Sequence, residues 1–143
     1  MSGRTNTSSA LGAKAALDGF EYQVDVSVFV ALKLLLISKS ATQITLEPVN
    51  EEDLEVDLEP SEPGFVQVGA NTIGGYKLMI QVKLRNTEPW SLSTFKALLK
   101  HGTKRRPAKH HLDNAKTRYL LITSADTKGE ARNLAVRGLE EWP

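Results

Sequence analysis

Tyr76-Lys77-Leu78-Met79-Ile80-Gln81-Val82-Lys83-Leu84-Arg85 is the stretch on which the fold turns. Successive residues of an extended chain point to opposite faces, so Leu78, Ile80, Val82 and Leu84 share one side. Met79, Gln81, Lys83 and Arg85 share the other, and the spacing predicts a strand over residues 76–85. Upstream, Asp53-Leu54-Glu55-Val56-Asp57-Leu58 repeats the pattern, with apolar residues on one side and acids on the other. Between the two, the Pro60 to Gly64 cluster predicts a turn. Phe65, Val66 and Val68 predict a short strand, and Ile73-Gly74-Gly75 has the composition of a hairpin connection.

Working outward, Phe20, Val24, Val28, Ala31, Leu32 and Leu35 recur at helical spacing and predict a long, largely buried helix. Val24, Val26, Val28 and Val30 also alternate as a strand would, and valine favours sheets. The run is long for a strand and flows into Ala31-Leu32-Lys33-Leu34-Leu35-Leu36, which favours the helix. Ile44 and Leu46 begin a strand that Pro48 and Asn50 interrupt. On the far side, Ser91 or Ser93 can cap a helix reaching about His101. Gly102 to Asn114 reads as a basic loop. Tyr119 to Thr123 is a continuous apolar run, expected to be a central strand covered on both faces, and Lys128 to Gly138 reads as a last helix. Helix, strands, helix, strand, helix is the order of an α/β or α+β fold around a mixed sheet.

At 143 residues the chain has room for one compact domain. We expect a flexible tail over residues 1–9 and a single domain over residues 10–143, the N-terminal part of a larger protein. An apolar share of 41% and a charged share of 24% are ordinary for a globular domain. The absence of cysteine excludes disulfides and thiolate metal sites. Met1 to Ser9 lacks the apolar core of a signal peptide, and Asp25 and Lys33 interrupt the most apolar run. A cytoplasmic protein without membrane contact is therefore expected.

The net charge is +1, but its distribution is uneven. Between Ala41 and Glu62 the acids Glu47, Glu51, Glu52, Asp53, Glu55, Asp57, Glu59 and Glu62 stand without a Lys or Arg. From Lys77 to Arg118 bases dominate. The first region suits a cation and the second a polyanion, unless the two simply neutralise each other. Phosphodiester cleavage requires a divalent cation, an activated water and positive charge near the developing oxyanion. Asp53 can offer a carboxylate and Gln81 an amide oxygen, both hard ligands that suit Mg²⁺. Lys83, two residues beyond Gln81 on the same strand face, can orient water or stabilise phosphate charge. The bland alternatives are a chance Gln-x-Lys and a solvated acidic edge strand, which Glu51 and Glu55 fit better than Asp53 does. Lys104, Arg105, Arg106 and Lys109, with Arg85, are candidate phosphate contacts, or else an ordinary exposed basic loop. His101, His110 and His111 lack a fixed zinc geometry. Trp90 and Trp142 read as packing residues.

Gly19-Phe20-Glu21-Tyr22-Gln23, then Glu47, Glu52-Asp53, Gln81-Val82-Lys83 and the run from Tyr119 to Thr123 resemble, in that order, the PD-(D/E)xK nuclease superfamily. The variant is the one with Gln at the second acidic position. More narrowly, they resemble the double-stranded DNA nuclease domains of CBASS effectors and antiviral STAND ATPases. The resemblance covers most of residues 12–135. It implies a restriction-endonuclease-like mixed central sheet flanked by helices. It makes Asp53 the principal metal ligand, Gln81 the substitute for the second acid, Lys83 the motif lysine and Glu47 a second carboxylate at the metal. Gln23 or Glu21 would face the site from the first helix. The implied activity is a Mg²⁺- or Mn²⁺-dependent endonuclease on double-stranded DNA, an antiphage effector switched on by homo-oligomerisation through domains outside this chain. Two departures stand out: no proline precedes Asp53, and Gln81 replaces an acid. The second keeps open an inactive nucleic-acid-binding module. An RNase shares the same electrostatics, although no aromatic RNA-binding strand is present.

Overall fold

A computed structural model describes residues 6–46, 53–58, 67–68, 71–72, 75–85, 87–100, 107–114 and 116–136. It is a mixed α+β fold. Helix α1 (Asn6–Ala31) runs straight into a π-helical turn, Leu32–Ile37. The strands are β1 (Ala41–Leu46), β2 (Leu54–Leu58), β3 (Gln67–Val68), β4 (Asn71–Thr72), β5 (Tyr76–Lys83) and β6 (Thr117–Thr123). Helices α2 (Leu92–Lys100) and α3 (Ala108–His111) separate β5 from β6, and a 3-10 helix, Gly129–Leu134, follows.

The main sheet has the order β1-β2-β5-β6. β1, β2 and β5 pair antiparallel, and β6 joins β5 in parallel, as a crossover through two helices requires. β3 and β4 form a separate two-stranded ribbon. Period-2 alternation in β2 and β5 sends Leu54, Val56, Leu58, Leu78, Ile80 and Val82 to one side. There they pack with Val30 and Leu34 of the first helix, flanked by Tyr22, Val26, Leu120 and Ile122. Burial of these apolar side chains, about 1.5–3 kcal/mol each, is the main force holding helix to sheet. The opposite side is covered too: Met79 is buried, and Phe95 of α2 lies 6.1 Å from the Tyr119 ring.

Several expectations shift. The favoured helix is found over Val24 to Val30, but it is not largely buried: Phe20, Val24, Val28 and Leu32 are exposed, because only one face of the run covers the sheet. The helix begins at Asn6, inside the segment read as a tail over residues 1–9. It closes in a π turn in which Ser38 N–H bonds to Lys33 O at 2.8 Å, and Lys39 adopts a left-handed φ of 51°. β5 ends at Lys83 rather than Arg85. Among the described strands β6 is an edge strand, half-buried throughout, not a central one. Its apolar run contacts both layers only in part, with no residue fully buried, and carries no information about its neighbours. The last helix is only the six-residue 3-10 turn Gly129–Leu134, with Ala135 already extended. The basic stretch contains the short helix α3. The expected hairpin over residues 73–75 and the turn over residues 60–64 lie outside the described residues, apart from Gly75. Among the described residues no helix is long and apolar enough to cross a membrane.

Candidate active site

The register Leu54↔Ile80 places Asp53 opposite Gln81, just beyond the last bridged pair of β2 and β5. One carboxylate oxygen of Asp53, Oδ2, accepts hydrogen bonds from both Gln81 Nε2 and the Val82 backbone N–H. The side chain thus takes a ladder donor where the β2 backbone turns away, which ends the strand at a fixed point. Gln81 is buried and Asp53 half-buried. Alternation along β5 puts Lys83 on the Gln81 side, half-buried, opposite Thr123 of β6. Asp53, Gln81 and Lys83 therefore share one face and one end of the sheet, where the parallel strands β5 and β6 finish.

That end is fastened by Trp90. Its Nε1–H donates to Thr123 Oγ1 at 3.1 Å, its backbone bridges to Thr127, and the ring is buried. The Arg85 guanidinium sits 4.4 Å from the Trp90 ring centroid, and Ser124 Oγ bonds the Arg85 backbone. A cation over an aromatic face is held at modest cost while its N–H groups stay open to a further acceptor. Arg85 is thereby fixed two residues beyond Lys83. Sequence reading assigned Arg85 to nucleic acid but missed its support from Trp90, because nothing in the spacing reveals a contact across a loop.

The acids along β2 divide. Glu55, for which a solvated edge is the alternative in the sequence, is buried on an inner strand and ion-paired with Lys77 of β5. Asp57 stands 3.9 Å from the same Lys77 Nζ. The hydrogen bond to Glu55 is the largest influence holding the Lys77 ammonium above its ordinary range. Burial opposes it, and the charges of Glu55 and Asp57 add to it. The register, invisible in the sequence, decides this pairing, which makes Glu55 and Lys77 structural. A cleft of about 360 Å³, lined by Asp57, Tyr76, Lys77, Lys116 and Thr117 among others, opens at the beginning of β5 and β6. It lies at the opposite end of the sheet from Asp53 and Gln81.

Glu21 is exposed and Gln23 half-buried on α1, whose contact with the sheet is made by Tyr22 and Val26 on the face opposite Asp53 and Gln81. Lys109 is exposed on α3. Glu47, Lys104, Arg105 and Arg106 lie outside the described residues, as do His101 and Trp142. Among the described residues no three His, Asp or Glu side chains gather to hold a metal ion. The donor set in view is one carboxylate and one amide. That is compatible with Mg²⁺, which commonly takes one or two carboxylates and keeps several waters. Gln81 presents its N–H to Asp53, so ligation by its oxygen requires the amide to turn over.

No family model, curated protein or solved structure matches this chain.

Proposed function

We propose that the chain is a divalent-metal-dependent endonuclease acting on double-stranded DNA, built on a restriction-endonuclease-like sheet. The observation that carries the reading is the junction of Asp53 with Gln81 and Val82 at the end of β5, with Lys83 two residues on and on the same face. Asp53 and Gln81 are the residues that would hold Mg²⁺ or Mn²⁺, with Glu47 a candidate third ligand. When bound, the cation polarises the scissile phosphate and lowers the pKa of water. Lys83 supplies positive charge for the phosphate oxygens. Arg85, steadied over Trp90, and Lys109 bind the backbone without reading sequence. The role proposed is an antiphage effector in the cytoplasm, silent until homo-oligomerisation.

A second reading, a nucleic-acid-binding module without catalysis, is favoured by one observation. The Asp53 oxygen is already satisfied by two N–H donors, which is what a strand terminator needs. Plasmid cleavage in Mg²⁺ separates the two, and the choice of variants matters. Asp53→Asn can keep an oxygen for both donors while losing the charge, and Lys83→Ala disturbs neither bond. A loss of at least about a hundredfold in both, equivalent to about 2.7 kcal/mol of barrier, is expected of an enzyme. Because an effector silent until assembly is also inactive as a free domain, the test uses the full-length, assembled protein; its inactivity, with DNA binding that weakens steeply in salt, selects the module. Matched RNA and DNA substrates separate an RNase from a DNase.

A further inference from the structure

The face of α1 turned away from the sheet carries a second apolar stripe. Tyr22, Val26, Val30 and Leu34 meet the sheet. Leu17, Phe20, Val24, Val28, Leu32 and Leu36, spaced by three or four residues and so aligned on another face, are between 43% and 65% exposed. With roughly 90 Å² left open on each, the stripe presents about 550 Å², at the upper limit of apolar patches on monomers and typical of an interaction site.

We infer that this stripe is the interface between two copies of this chain, packed with their α1 helices antiparallel across a two-fold axis. The order of its residues is compatible with that occupant. The stripe is symmetric about Val26: Val24 and Val28 lie two positions to either side, Phe20 and Leu32 six, and Leu17 balances Leu36 to within one residue. An isologous contact needs each side chain to meet its symmetry mate's partner, and antiparallel pairing sets Val24 against Val28 and Phe20 against Leu32. Parallel pairing would set the two helix dipoles side by side in the same sense; antiparallel pairing opposes them. Two such stripes, if fully covered, remove at most about 1,100 Å² from water, close to the roughly 1,000 Å² that a specific interface requires. The inference uses only the outer face of α1 and of the π turn Leu32–Ile37 that continues it, and does not depend on nuclease activity.

Sedimentation of the 143-residue chain over about 1 to 100 μM tests it. The expected result is association to twice the 15.7 kDa chain mass, persisting at high salt because apolar area drives it. Val24→Asp and Val28→Asp should each weaken association at least tenfold with unchanged helical circular dichroism, since both side chains are exposed. Leu134→Asp, at an exposed apolar residue outside α1, should associate as the wild type does. The chain has no cysteine, so mixing Val24→Cys with Val28→Cys reads the register. Mixed disulfides should form faster than either homodisulfide. A chain monomeric at every concentration, a dimer indifferent to both aspartates, or a preference for homodisulfides would each overturn the proposal.

Discussion

At the residue scale, Asp53 carries two duties that pull against each other. A carboxylate accepting two N–H bonds at a partly buried strand end is a stabilising joint, because charge-assisted bonds are roughly twice as strong as neutral ones. A cation bound to the same carboxylate would compete with those two donors for its charge. Removing the side chain leaves the Gln81 amide and the Val82 N–H without their acceptor, so Asp53→Ala should cost about 2–3 kcal/mol in urea unfolding. Asp53→Asn should cost about 1 kcal/mol, because one neutral oxygen can still accept both bonds. Equal losses for the two variants would mean that charge, not the oxygen, holds β2 to β5. Inactivity of Asp53→Ala alone is therefore poor evidence for metal binding, whereas Lys83→Ala, outside that joint, is clean. The sequence made Asp53, Gln81 and Lys83 legible as a shared face because alternation is local and period 2 is rigid. It could not reveal that Asp53 Oδ2 bonds a backbone amide, which depends on where two strands separate.

At the element scale, β2 and β5 were legible and their surroundings were not. Both alternate strictly, so the existence and apolar face of each follow from residue order alone. Which strand lies beside which is a long-range matter that residue order leaves open. The solvated-edge alternative for Glu55 is excluded, because β1 pairs along the other side of β2 and makes it an inner strand. β6, expected to be central, pairs only with β5 among the described strands, and nothing in Tyr119 to Thr123 specifies neighbours. The Glu55–Lys77 pair across this register has a consequence for pH. The Lys77 ammonium is raised above 10.5 by Glu55. Tyr22 and Tyr76 are raised above 10.0 by burial, slightly offset at Tyr76 by Arg118, whose guanidinium lies 4.5 Å from the ring. In all three the folded state favours the protonated form. Their contribution is complete below the unfolded values and disappears as pH rises through the folded ones. Urea midpoints should therefore fall as pH rises above about 10, and Lys77→Met should make that fall smaller. A midpoint unchanged over this rise would show that the pair and the two phenols contribute nothing to stability. Lys77 is partly open to solvent, so the lysine share of the effect is modest.

At the scale of the whole molecule, the sheet separates two surfaces. α1 and its outer stripe lie on one side; Asp53, Gln81 and Lys83 lie on the other, at the end of β5. If two copies join through α1, their sheets stand on the outside of the pair, each with its Asp53 face turned away from the partner. Two proposed nuclease sites arranged in this way cannot close on opposite strands of one short stretch of duplex, since two sheets and two helices lie between them. Layer spacings of about 10 Å make that separation wider than the duplex groove. The expected course on supercoiled plasmid is accumulation of nicked circles first, with linear product appearing later through independent second cuts. Val24→Asp should leave the nicking rate per chain within about twofold of wild type, because it alters the pairing face and not the site. Linear product appearing without a nicked intermediate would place both sites over one duplex and rule out back-to-back pairing. Loss of nicking in Val24→Asp while the fold persists would make assembly itself part of the catalytic unit. That result would bring the interface and the site onto the same side of the sheet, against the arrangement in which α1 covers one face and Asp53 occupies the other.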